Sequence, residues 1–397
     1  MQKRTSLSAH KCFLLFFLFF GSNQLFAQNF PKLGNDTLLD IANWNIEWFG
    51  DVTNGPSDEA TQFANVKALL DKTEMDVFAL EEISEATAYA NLNTQLAAKY
   101  DTYISSFSQT QKTGIYWRKS MFSVIPNLSY NLNVTSGDNY FYASRPPLQV
   151  CLQTIGGTKI DTLYFLVIHL KAYADVDSYN RRVGASAALK TYIEGTLTGK
   201  KVIVLGDWND QLGASIYNSA ESPFKNLLTA NYTFPSKELE DAGKSSYAFK
   251  NSMIDHQLIS HALDSFYYKG SAKVFSDAPT YCSGFSNNTS DHFPIYSCFN
   301  WKKLTSRIIP EGVEEELNKI NITIAPNPTN TSIAVQCDKQ IDVVKIIDLQ
   351  GRIVIEKANN LSKEWQAQID LSNLEAGIYF VQIESQGKQL CRQIVKQ

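Results

Sequence analysis

Between residues 36 and 303 the chain sets short apolar runs, several of which stop abruptly at ionisable or amide side chains, among longer stretches with helical periodicity. Buried strands alternating with helices imply a layered α/β domain rather than a bundle or an all-β sandwich. A helix is expected over 58–71, behind Pro56 and Ser57, because Phe63, Val66 and Leu70 fall on one face. A second is expected over 179–197, with Val183, Ala187 and Leu189 among small residues. Strands are expected over 41–48, 76–80, 163–168 and 201–205. With 44% apolar and 19% charged residues, the chain is neither disordered nor dependent on disulfides for its core.

The residues that close these strands carry the chemistry. In the first strand Trp44, Ile46 and Trp48 alternate with Asn43, Asn45 and Glu47. An amide beside a carboxylate suits a hard cation or a phosphate oxygen, and an exposed sheet face accounts for it equally well. The second strand runs into Glu81 and Glu82, adjacent acids that must be solvated, paired or metal-bound. His169 closes the third, and taken alone is more often a structural residue. The fourth ends in Gly206-Asp207-Trp208-Asn209, with glycine permitting close approach. Two further pieces, Ile254-Asp255-His256 and Ser290-Asp291-His292, offer an Asp–His pair in which a carboxylate fixes the imidazole and raises its basicity. His256 and His261 read as structural.

In this order and spacing the set resembles the endonuclease/exonuclease/phosphatase superfamily, the DNase-I-like fold, over 36–303. The resemblance implies a four-layer α-β-β-α sandwich that cleaves phosphoester bonds with a divalent cation. It places Glu82 as principal metal ligand, aided by Asn45, Glu47 and Asp291. An oxygen-only set of that kind favours Mg²⁺, or Mn²⁺ or Ca²⁺, over Zn²⁺. His292, oriented by Asp255, would activate water; Asp207 and Asn209 would hold nucleophile and phosphate; His169 would protonate the leaving oxygen or stabilise its charge. Arg145 stands where related nucleases carry an arginine near the phosphates, and a structural salt bridge accounts for it equally well. One departure stands out. The secreted DNase branch orients the histidine matching His169 with a glutamate, where this chain offers Gln111, Lys112 and Thr113.

The ends of the chain read as transport devices. Residues 1–27 combine Lys3, Arg4 and Lys11 with an apolar run over 12–20 and close on Ala27. Nine apolar residues fall short of the ~20 that span a bilayer, so a cleaved signal peptide is expected, without stable membrane insertion. Export would bring five cysteines into an oxidising compartment, with Cys282 and Cys298 the expected pair. A charged linker over 304–321 leads to alternating runs and turns over 322–397 that imply a small all-β sandwich. Its Pro326-Asn327-Pro328 opening, its turn over 348–352, its 374–379 segment and the terminal Lys396-Gln397 resemble the C-terminal sorting domain of type IX secretion cargo. That resemblance implies a partner in the type IX machinery and a secreted or cell-surface location. The catalytic domain is thus expected over 28–303, in a monomeric protein.

The formal charge is −4 and falls to about −7 without the first 27 residues, so no basic coat draws the chain to polyanions. A locally held cation would still allow work on a phosphate. The expected function is a secreted, metal-dependent nuclease acting on DNA or RNA. The alternatives are a phospholipid (sphingomyelinase-like) or small-molecule phosphoesterase of the same fold and, from another class, an inactive binding protein.

Overall fold

The computed structural model describes residues 30–306, 322–337, 341–349, 351–358, 366–385 and 388–397. The expected signal peptide and most of the expected linker lie outside the described residues. Two compact units form, one ending at residue 306 and one after it.

In the first unit the strands are β1 (Leu39–Phe49), β2 (Val77–Ile83), β3 (Tyr100–Ile104), β4 (Lys112–Arg118), β5 (Phe122–Val124), β6 (Tyr130–Asn131), β7 (Leu148–Thr154), β8 (Thr162–His169), β9 (Lys201–Asp207), β10 (Asp255–Ile259), β11 (Lys273–Val274) and β12 (Ile295–Phe299). The main helices are α1 (Glu59–Lys72), α2 (Ala86–Leu96), α3 (Ser136–Phe141) and α4 (Val176–Gly195). One sheet runs β11-β12-β1-β2-β4-β3; the other runs β10-β9-β8-β7-β5, with β6 added against β7. The inner faces share a core: Ile41, Val77, Ala79 and Trp117 meet Val150, Phe165, Val167, Ile203 and Leu205. Outside the first sheet, α1 and α2 bury Val66, Leu69, Leu70 and Leu92 against Trp44, Phe78 and Leu80. Outside the second, α4 buries Ala185, Leu189 and Ile193 against Leu166, Val202 and Val204. The layers are therefore α-β-β-α, as expected.

This topology decides where the strand ends meet. β1 and β2 are parallel, as are β8 and β9, so each pair delivers its C-terminal residues to one edge of the sandwich. β10 is antiparallel to β9 and starts at that edge, with Asp255 opposite Asp207. β12 is antiparallel to β1 and also starts there, just after His292. Helix α1 begins one residue later than the periodicity suggested, because Asp58 accepts the Thr61 N–H as its N-cap. Helix α4 begins three residues earlier, because Asp175 caps Ser178.

The expected Cys282–Cys298 disulfide does not form: both thiols are unbridged, as is the buried Cys151. Cys282 packs with Phe275, Ala278 and Phe285, while Cys298 lies buried on β12, paired with Asp40 of β1.

The second unit is all β. Strands β13 (Ile322–Ala325), β14 (Ser332–Cys337) and β17 (Gln366–Asp370) make one sheet. Strands β15 (Val343–Ile347), β16 (Ile353–Ala358), β18 (Gly377–Ser385) and β19 (Lys388–Lys396) make the other. Ile333, Val335, Ile346, Val381, Ile383 and Ile394 fill the space between them. The expected turn closes where Asp348 accepts from Arg352 N at 2.9 Å and Nε at 2.7 Å.

Candidate active site

Every strand end singled out in the first unit's sequence arrives at the same edge, and the backbone there is bent to aim the side chains. Glu47, Trp48, Glu82 and Asn209 all have positive φ, between 45° and 63°. L-residues adopt that region at some energetic cost, and such strain gathers at functional sites. The alternation expected along β1 therefore ends after Ile46, and β1 shifts register against β2 between Asn45 and Phe49. On β2, Glu82 would face the helices with Phe78 and Leu80 if the strand were regular. Its φ of 63° turns the carboxylate to the open edge instead. Gly206, at φ 141°, is required: a Cβ there would lie 2.0 Å from the Ile168 carbonyl oxygen.

One half of the site is acidic. Asp291 N donates to Glu47 Oε2 (2.9 Å), and Trp48 N donates to Glu82 Oε2 (3.0 Å). Asn45 Nδ2 bridges Glu82 Oε1 and Asp207 Oδ2, each at 3.1 Å, while its Oδ1 accepts from Glu47 N (3.0 Å). Asn45 thus presents N–H, rather than oxygen, to the carboxylates it was expected to join in holding a metal. Burial, then repulsion from Asp291, raises the Glu47 carboxyl to about 7. Burial raises Glu82 as well, against the Asn45 hydrogen bond. Carboxylates crowded at this cost suit a positive charge, and hard oxygen donors suit a hard divalent cation.

The other half is imidazole chemistry. His292 Nδ1 lies 2.7 Å from Asp255 Oδ2, and its Nε2 lies 3.9 Å from Asp207 Oδ2 and 3.8 Å from Asp291 Oδ1. Burial opposes a charge on His292, but Asp255 and Asp207 outweigh it and raise its pKa well above the usual value. Asp207, Asp255 and His292 bring metal-capable atoms within 4.8 Å of one another. With Nδ1 engaged by Asp255, that trio has the geometry of a carboxylate–imidazole dyad beside a second acid, Asp207. Asn209 donates to Asp207 Oδ2 (2.9 Å) and to the Leu170 carbonyl (3.2 Å), holding Asp207 in place. His169 Nε2 stands 3.6 Å from both Glu82 Oε1 and Asp207 Oδ2. Burial first, then Arg145, pushes its pKa well below normal, so it is a neutral ring.

Gln111 does not take the place of the orienting glutamate. Its Oε1 accepts from Arg145 Nη1 at 2.6 Å, Arg145 Nη2 binds the Leu170 carbonyl at 2.8 Å, and His169 Nδ1 has no protein partner. Arg145 forms no carboxylate ion pair among the described residues, and its buried Nε is also without a protein partner. His256 is structural, bound to Ser236 Oγ and the Asp210 carbonyl, while His261 lies exposed beside Asp264.

Several supporting contacts carried no sequence signal. Gln62 on α1 donates to the carbonyls of Ile46, Glu47 and Thr289, tying β1 to the segment that bears His292. Trp44 Nε1 donates to the His292 carbonyl (2.8 Å), and Tyr247 packs edge-on against the His292 ring at 5.3 Å. Each sits far along the chain from its partner, so no local pattern could mark it.

Residues 42–292 match the Endonuclease/Exonuclease/phosphatase family, and residues 323–397 match the secretion system C-terminal sorting domain. No curated protein matches. Among solved structures, a humanised D. rerio TDP2 is 18% identical, with a TM-score of 0.48 over 66% of this chain and 99% of that one. The human Nocturnin catalytic domain, with bound sulfate, is 15% identical, with a TM-score of 0.47 over 66% and 93%. An endonuclease/exonuclease/phosphatase from Bacteroides vulgatus is 13% identical, with a TM-score of 0.48 over 66% and 98%.

Proposed function

Because the chain belongs to the endonuclease/exonuclease/phosphatase family and ends in a secretion sorting domain, we propose that it is an exported, divalent-metal-dependent nuclease. The observation that carries this reading is the meeting of a hydrogen-bonded Asp255–His292 pair with the Glu47, Glu82 and Asp291 carboxylates at one edge. Attack on a phosphodiester needs a base for water on one side and relief of phosphate charge on the other, and the two halves supply these.

Glu82, Glu47 and Asp291 would hold the cation, with Asn45 tethering Glu82 to Asp207. A bound Mg²⁺, Mn²⁺ or Ca²⁺ would neutralise the phosphate oxygens and polarise the phosphorus. With a bound cation offsetting the carboxylates that otherwise hold its proton, a neutral His292 would take the proton of the attacking water, with Asp255 holding the ring and stabilising the imidazolium. Asp207, steadied by Asn209, positions that water. Arg145, pinned through Gln111 and Leu170, places its guanidinium charge beside His169, where it favours an anionic phosphate. His169, neutral and without an orienting acid, stabilises the leaving oxygen through an Nε2–H hydrogen bond rather than serving as a cationic acid. The sorting domain implies delivery by type IX machinery to the cell surface or beyond, after a signal peptide over 1–27 has brought the chain to the periplasm.

The test is purified protein with plasmid DNA and with RNA in Mg²⁺, beside EDTA and Glu82→Ala controls. Metal-dependent cleavage lost in both controls is expected. Intact nucleic acid, with phosphate or phosphocholine released from small phosphoesters or phospholipids, would replace the reading with the phosphoesterase alternative.

A further inference from the structure

The loop that leaves β8 after His169 is fixed from beneath and decorated from above. Arg182 on α4 is completely buried, and its Nε lies 2.8 Å from Asp210 Oδ2. Its Nη1 donates to the carbonyls of Lys171 (2.7 Å) and Tyr173 (2.9 Å). Tyr173 is thereby held at φ 84°, a conformation suited to glycine, with its ring 70% exposed. An aromatic side chain kept in water on strained backbone beside a reactive site calls for a role other than packing.

The ring has a companion. Lys171 Nζ sits over the Tyr173 ring, 4.5 Å from its centroid, and the Arg181 guanidinium sits 4.3 Å from that of Tyr140, itself 48% exposed. These two cation–aromatic pairs meet at the start of α4, where the Tyr140 hydroxyl donates to Asp177, in the first helical turn after the Tyr173 loop. Two acids border the strip. Asp175 caps α4, and Asp177 takes the Tyr140 hydroxyl and faces Arg181 at 3.8 Å. What the strip presents beside His169 is two exposed rings with a cation over each.

We propose that Lys171–Tyr173 and Arg181–Tyr140 form a track for a single unpaired nucleic-acid strand that leads its phosphodiester to the site beside His169. This rests on the nuclease reading and narrows its substrate. Exposed rings accept bases only where the bases are not already stacked in a duplex, and the paired cations meet the backbone phosphates. With two such cations the affinity should fall only gently with salt, at a log–log slope of about −1.4.

The full chain in EDTA would be titrated against a fluorescent 12-nucleotide DNA strand, the same sequence as duplex, and anionic phospholipid vesicles. The single strand should bind about tenfold tighter than the duplex, and Tyr173→Ala or Tyr140→Ala should weaken it about tenfold. Tyr173→Gly separates binding from folding: it should hold or raise Tm, because glycine accepts φ 84°, yet bind as weakly as alanine. Equal affinity for strand and duplex, unchanged binding by Tyr173→Gly, or preference for vesicles would overturn the track. Mg²⁺-dependent cleavage, measured in parallel, distinguishes the two levels. Cleavage with unaltered binding by the variants sinks the track alone, whereas no cleavage of any nucleic acid sinks the nuclease reading and the track with it.

Discussion

The Asp255–His292 pair and the buried Asp76 behave differently when their surroundings change. His292→Ala removes the proposed base, so hydrolysis should fall by roughly 10²- to 10⁴-fold; steady-state rates, with circular dichroism to show the fold intact, check this. Burial holds the Asp76 carboxyl at about 7, against the Asp40 N–H bond it accepts. Folded protein therefore keeps a proton that the unfolded chain releases near pH 4. Stability should fall as pH rises from about 4 to 7 and stay level above, and Asp76→Asn should flatten that fall in urea titrations at pH 5 and 8. At this scale residue types were legible but their aim was not. Apolar runs ending in Glu82, His169 and Asp207 pointed to a site. Nothing in the letters announced positive φ at Glu47, Trp48 and Glu82, since no glycine or asparagine stands there, nor that Gln111 would bind Arg145 and leave His169 without an acid.

Elements were read best where burial imposes a pattern over many residues. The strands β8 and β9 are continuous apolar runs, and α1 keeps its apolar face. Helix α4 starts ahead of its periodic stretch because the capping Asp175 lies outside that stretch. Short helices such as Ala278–Tyr281 and Phe285–Asn288 are too brief to show a period. Two expectations belong here. Asp175→Ala should cost about 1 kcal/mol by removing the cap, a drop of roughly 2–4 °C in Tm by calorimetry. Gly206→Ala should cost about 3 kcal/mol or more, because β8 and β9 pair directly and the new methyl meets the Ile168 carbonyl; expression yield and urea midpoint would register it.

For the whole molecule, the order of motifs along the chain foretold the layered architecture through family resemblance, while the pairing of β1 with β12 joins residues some 250 positions apart that no local rule connects. The two units have separate cores, so loss of 322–397 should leave hydrolysis intact and change only where the enzyme accumulates, from the medium to the periplasm, as fractionation would reveal. The thiols of the catalytic unit have a further consequence for the life of the chain. Cys151, Cys282 and Cys298 are buried and not joined to one another, so folding of that unit waits on no oxidant and on no shuffling of wrong pairings. Material recovered from a reducing cytoplasm should regain activity in dithiothreitol as well as in air, and the protein should work unchanged in the sulfide-rich, oxygen-poor settings that dismantle cystine-stapled exoenzymes.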